Sequence, residues 1–188
     1  MQRIGCHNVN LVTPTHVLPN IIGGLRAAIR MGLRLPLVYN CGGYEPVEII
    51  KLLDGIVDIY LPDFKYTDGE MAAKYSSGAS DYPQRAAEAI EEMYRQVGNL
   101  VVDENGIALR GLMIRHLVLP NNIAGTDKFV RWVAEKLSPS TYVNIMAQYR
   151  PEHMAPKIPE LARRITWSEY QQALRWAREA GLTRLDPG

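Results

Sequence analysis

Cysteine is almost missing: Cys6 and Cys41 are the only two in 188 residues, and no CxxC pair occurs. A disulfide framework is therefore not expected, and a complete metal site built from this chain's cysteines alone is excluded. Both read as small buried apolar groups. Charge of one sign is missing too. Twenty-one Lys and Arg face 20 Asp and Glu, a net charge of +1, so composition supplies no general pull toward nucleic acid or anionic lipid. Long apolar runs are absent: "NLVVDENG" and "HLVLP" stop far short of the roughly 18 residues a membrane span requires. The N-terminal "MQRIGCHN" has no apolar core followed by a small-residue cleavage site, so export is not expected and the cytoplasm is the expected location.

What is present is ordinary for a globular protein, 47% hydrophobic and 22% charged, enough for one domain with a sizeable core. Short β-forming runs alternate with helical patterns. The runs are "VNLVT" (9–13), "LPLVYN" (35–40), "IVDIYLPDFK" (56–65), "LMIRHLVLP" (112–120) and "YVNIMAQY" (142–149). Between them, "LPNIIGGLRAAIRMG" places Ile21, Ile22, Leu25, Ala28 and Ile29 on one helical face. "YEPVEIIKLLDG" has an early Pro and a final Gly, and residues 81–98 repeat apolar groups with Asp81 as the expected N-cap and Gly98 closing. Thr126 is expected to cap the next helix, and Thr166 with Glu169 forms a capping box for the last. Residues 99–111 break the alternation: Asn105-Gly106 between β-forming runs predicts an inserted hairpin.

The predicted fold is thus α/β: five parallel βα units, too few to close an eightfold barrel of about 250 residues. An open or partial barrel is expected, with ligands at the carboxyl ends of the strands. Those ends are polar in every unit. They offer Thr13, Thr15 and His16; Asn40, Cys41 and the Gly42-Gly43 pair; Asp63 and Lys65; Arg115 and His116; and Gln148 to His153. Period-two alternation puts Asp63 and Lys65 on one face of their strand, where each makes the other's burial tolerable. One such pair reads equally well as a structural ion pair. Polar groups at all five ends favour a shared pocket. Arg115 and His116 alternate, so only one of them faces the barrel axis. His7 reads as a surface residue, and His16 is divided between capping a helix and lining the pocket. Gly42-Gly43 reads as a plain turn, Met93 and Trp132 as core, and the arginines of the C-terminal helix as a solvated face.

The strings "GCHNVNLVTPTH", "LPLVYNCGGYE", "VDIYLPDFKY", "RHLVLP" and "NIMAQYRPEH", in this order, resemble the pyruvate formate-lyase activating enzyme-like branch of the radical S-adenosylmethionine proteins. The resemblance runs from residue 5 to the end and implies part of a (β/α)6 barrel. It also implies roles. Asp63 and Lys65 resemble an Asp-x-Lys pair whose lysine meets the carboxylate of S-adenosylmethionine. Thr13 and Thr15 lie where relatives have a Gly-Gly-Glu-Pro segment at the cofactor's amino group, a motif this chain does not have. Asn40 resembles a polar strand-end residue near the cofactor or an accompanying cation, Arg115 the arginine of an R-x-V-V-x-P strand, and His153 a histidine after the last strand. Implied partners are a glycyl radical protein or another protein substrate, and an electron donor such as flavodoxin.

One family element is missing. The [4Fe-4S] cluster is held by a CxxxCxxC loop, clusters are ligated by thiolates, and the motif does not occur here. The first strand of this chain resembles the family's second, so the expectation is a domain spanning 1–188 without the first βα unit, unable by itself to cleave S-adenosylmethionine reductively. Losing that unit is expected to leave the strand at 9–13 with an open edge that invites association with another chain. From the residues alone, two rivals stand beside this reading. One is an aldolase-like barrel in which Lys65 forms a Schiff base with Asp63 as its acid–base partner; the other is a non-catalytic remnant.

Overall fold

The computed structural model describes residues 1–186. Six strands form a parallel sheet in sequence order: β1 (Val9–Val12), β2 (Leu37–Cys41), β3 (Ile59–Pro62), β5 (Ala108–Leu117), β6 (Tyr142–Met146) and β7 (Leu185–Asp186). β4 (Val101–Val102) pairs antiparallel with β5. The helices are α1 (Leu18–Arg30), α2 (Val47–Leu52), α3 (Gly69–Tyr75), α4 (Tyr82–Val97), α5 (Thr126–Trp132), continued by a π-helical turn over Val133–Leu137, and α6 (Trp167–Glu179). The result is an α/β fold whose sheet stays open, with β1 and β7 at its edges. This is the partial barrel that strand counting predicts.

Alternation along each strand separates two faces. Tyr39, Tyr60, Leu112, Ile114, His116, Val143 and Ile145 point to the helix side and are completely buried with Ile90 and Met93 of α4 and Phe129 and Val130 of α5. The opposite, concave face carries Asn40, Leu61, Asp63, Arg115, Leu117, Asn144 and Met146, all half-buried. The apolar core therefore lies on the outside of the sheet, and its inside is left for polar groups.

The inserted hairpin is present, with β4 antiparallel to β5: its turn, built by the Asp103 carboxylate accepting from the N–H groups of Asn105 and Ile107 at 2.9 and 2.8 Å, returns into β5 without a break. Gly111 makes that fusion possible. Its φ is 121°, and a Cβ there would lie 2.4 Å from the Asn99 carbonyl oxygen. Other local readings need correction. Asp81 stands at the N-cap position of α4 as expected but makes no side-chain cap bond, because its carboxylate is engaged by Tyr44 and Arg85; the aspartate whose side chain caps is Asp68, accepting from Glu70 and Met71 at the start of α3. Thr126 is not a cap either, since its hydroxyl is used by His116. The Thr166–Glu169 capping box is present with both of its bonds.

The edge made by β1 and α1 is thinly packed. Leu18 is the one buried residue of α1; Ile22 is exposed and Ile29 is 61% exposed. No carboxylate precedes Glu45, so Arg3, Arg26, Arg30 and Arg34 stand on this part of the chain without an acidic partner of their own.

Candidate functional site

At the carboxyl ends of β2, β3 and β5 four polar side chains meet. Lys65 Nζ donates to Asp63 Oδ2 at 2.7 Å. Arg115 donates from Nε to Asp63 Oδ1 at 2.7 Å and from its terminal nitrogen to Asn40 Oδ1 at 2.9 Å. One carboxylate thus holds two cations, and Asn40 fixes the second from the neighbouring strand. The side chains of Asp63, Arg115 and Lys65 are 21, 30 and 47% exposed, a gradient from sheet to solvent. At this exposure the contacts set geometry more than they stabilise the fold.

Backbone contacts hold these strand ends in place. The Phe64 N–H donates to the Arg115 carbonyl at 2.9 Å, and the Tyr82 hydroxyl, at the start of α4, accepts from the Lys65 N–H at 2.9 Å while lying 3.0 and 3.1 Å from the carbonyls of Gly42 and Asp63. Gly43 has φ 80°, and a Cβ on it would stand 2.1 Å from the Asp63 carbonyl oxygen. The Gly42-Gly43 pair is therefore more than a plain turn: it lets the loop after β2 lie against the end of β3.

His116 locks the other side of the same strand end. Pointing away from the concave face, it donates from Nδ1 to the Phe64 carbonyl at 2.7 Å, and its Nε2 accepts from the Thr126 hydroxyl at 2.9 Å, while its ring stacks on Phe129 at 4.2 Å. Burial pushes its pKa down to about 4, against a smaller opposite pull from the Phe64 carbonyl. It is a neutral structural clip. Of the alternating pair, Arg115 faces the axis.

The Asp63, Lys65 and Arg115 side chains line a cavity of about 380 Å³ walled by Tyr66, Leu117, Met146 and Tyr149. Lys65 has three ammonium donors and one side-chain partner, which leaves donors for a ligand. Asn144, in register with Arg115 on the same face, has a buried Oδ1 without a hydrogen-bond partner among the described residues. The sequence-selected residues do not all converge here. Asn40, Asp63, Lys65 and Arg115 do. Thr13 continues the ladder, donating its N–H to the Asn40 carbonyl, with an exposed side chain and φ 49°. Thr15 is held on the helix side by the Glu45 carboxylate at 2.6 Å and the Tyr39 hydroxyl at 2.9 Å. His153 is exposed in the loop after β6 and does not line the cavity. Glu45, which the sequence reading passed over, is a buried carboxyl raised by burial against the pull of those hydroxyls; no spacing signal marked it. Tyr149, quoted as part of a strand end, turns out to be a wall of the cavity.

An iron–sulfur cluster does not fit these residues. Among the described residues no group of three His, Cys, Asp or Glu is placed to hold a metal, and Cys41 is buried in the core. The amino-acid end of S-adenosylmethionine does fit: a cation with spare donors and a carboxylate stand side by side at the mouth of a cavity with aromatic walls.

No family model matches the chain. An uncharacterized protein of Methanocaldococcus jannaschii is 32% identical over 178 residues, covering 93% of this chain and 47% of that protein, so the chain spans about half the length of this relative. A crystal structure of a domain of pyruvate-formate lyase-activating enzyme from Bacteroides vulgatus superposes with a TM-score of 0.65 at 12% identity, over 97% of this chain and 99% of that one. At that identity the likeness is one of fold.

Proposed function

We propose that this chain is the C-terminal βα portion of a radical S-adenosylmethionine enzyme of the activating-enzyme type, and that the cavity beside Lys65 receives the carboxylate and amino group of S-adenosylmethionine. The observation that carries the reading is the Asn40–Arg115–Asp63–Lys65 network opening onto one cavity at the strand ends. Lys65 pairs with the ligand carboxylate, Asp63 orients Lys65 and Arg115, and Asn40 holds Arg115 in register. The fold shared with the activating-enzyme domain and the double length of the M. jannaschii relative support it. Cluster thiolates would have to come from outside these 188 residues, and the chain alone does not cleave the cofactor. By analogy the complete enzyme takes electrons from a donor such as flavodoxin and abstracts hydrogen from a glycyl radical protein. Location in the cytoplasm belongs to the same proposal; among the described residues no helix is long and apolar enough to cross a membrane.

Calorimetric titration of S-adenosylmethionine into the folded chain tests this. Saturable binding, weakened roughly tenfold or more in Lys65→Ala and Arg115→Ala at unchanged circular dichroism, is the expected result. A folded wild-type chain that shows no binding overturns it. The Schiff-base alternative gains nothing from the geometry: Lys65 is half exposed and ion-paired rather than desolvated. Borohydride trapping of a carbonyl compound on Lys65 would reinstate it.

A further inference from the structure

A second cavity, of about 300 Å³, lies beside the first where the loop after β6 meets the start of α6. Gln148 and Tyr149 line both. Beyond that shared wall stand Arg150, Arg164, Thr166 and Trp167, with no carboxylate in the lining.

The arginines there differ from most others. Nine occur after residue 100. Six have side-chain engagements: Arg110 and Arg184 donate to backbone carbonyls, Arg115, Arg131 and Arg163 to carboxylates, and Arg175 to Gln172. Arg150, Arg164 and Arg178 have none among the described residues, and two of these three share this cavity. The nearby acid is withheld, because Arg163 holds Glu169 at 2.8 Å and the capping box uses the same carboxylate. Trp167 is 73% exposed, an aromatic face left in water at the cavity's side. Two guanidiniums without a counter-charge next to an uncovered indole form a recognition surface for a negative group carried on an organic body.

We propose that this cavity is a subsite for an anionic group, a carboxylate or phosphate, on the substrate that shares the mouth with the Lys65 cavity. In assigning the bound anion to a substrate it rests on the cofactor reading above. Arg150 and Arg164 clamp the anion, Trp167 covers the adjoining part of the molecule, and Tyr149 separates it from the first cavity.

The test is titration of the chain with inorganic phosphate and, separately, citrate, read by calorimetry and by the fluorescence of Trp167. The expected result is saturable binding of one or both anions, weakened roughly tenfold or more in the Arg150→Gln/Arg164→Gln double variant and unchanged in Arg178→Gln. The optical signal disappears in Trp167→Phe. The stronger binder of the two identifies the anion class. Absence of saturable binding, or equal binding by the double variant and the wild type, overturns the proposal. S-adenosylmethionine titrated into the wild-type chain beside the two anions separates the two readings. Retained cofactor binding with no anion binding sinks the subsite alone; anion binding without cofactor binding sinks the cofactor reading and leaves the subsite standing.

Discussion

His116 shows how a residue outside the cavity governs what lies inside it. Its two hydrogen bonds tie Phe64, between Asp63 and Lys65, to the start of α5. In His116→Phe the Phe64 carbonyl and the Thr126 hydroxyl lose their partner in a buried site, at a cost of about 2–4 kcal/mol by urea unfolding. The same residue sets a pH dependence. Its native pKa of about 4 lies below the ordinary 6.5, so the unfolded chain takes up the proton first. The stability contributed by neutral His116 is complete above pH 6.5 and declines toward pH 4, at up to about 1.4 kcal/mol per pH unit. Glu45, raised by burial, works in the opposite sense, so the quantity to measure is the difference between wild type and His116→Phe. That difference should narrow as pH falls from 7 to 5; a constant gap would refute the account. The sequence showed that Arg115 and His116 face opposite ways but not which way, because the choice depends on Phe129 and Thr126 arriving from a later helix.

At the scale of elements, the periodic ones were readable. β2, β3 and α6 follow from their own apolar spacing, and the Thr166–Glu169 box is local chemistry that needs no tertiary partner. What escaped was short or borrowed. β7 has two residues and exists because Val143 and Asn144 of β6 offer it a ladder. α3 is a seven-residue helix anchored by Asp68, whose capping signal was hidden beside Gly69. At the site, the Asp63–Lys65 pair was legible from alternation alone, whereas the displacement of Thr15 to the helix side depended on Glu45 and Tyr39, and no spacing announces that. α1 has the apolar stripe its sequence promises, but little covers it. Its amides should therefore exchange with deuterium about a hundredfold faster than those of α4, a gap of about 2.7 kcal/mol in opening free energy. Equal protection of the two helices would show that α1 is covered in solution.

For the whole molecule, the sheet is a half-shell with a dry outside and a polar inside, and its open edge is also its most basic region. The first 44 residues hold four arginines and no carboxylate; of the 21 cations and 20 carboxylates in all, 17 and 20 remain for the rest. Two such edges repel one another, which opposes edge-to-edge pairing of copies at low salt. A near-neutral sum thus conceals a separation of charge along the chain, positive at one end and net negative beyond it. In an ion-exchange column the molecule should behave as an oriented dipole rather than as a neutral particle: it is expected to adhere to a sulfonate resin at pH 8, just above its isoelectric point of about 7.8, and to pass through once Arg26 and Arg30 are both replaced by Gln.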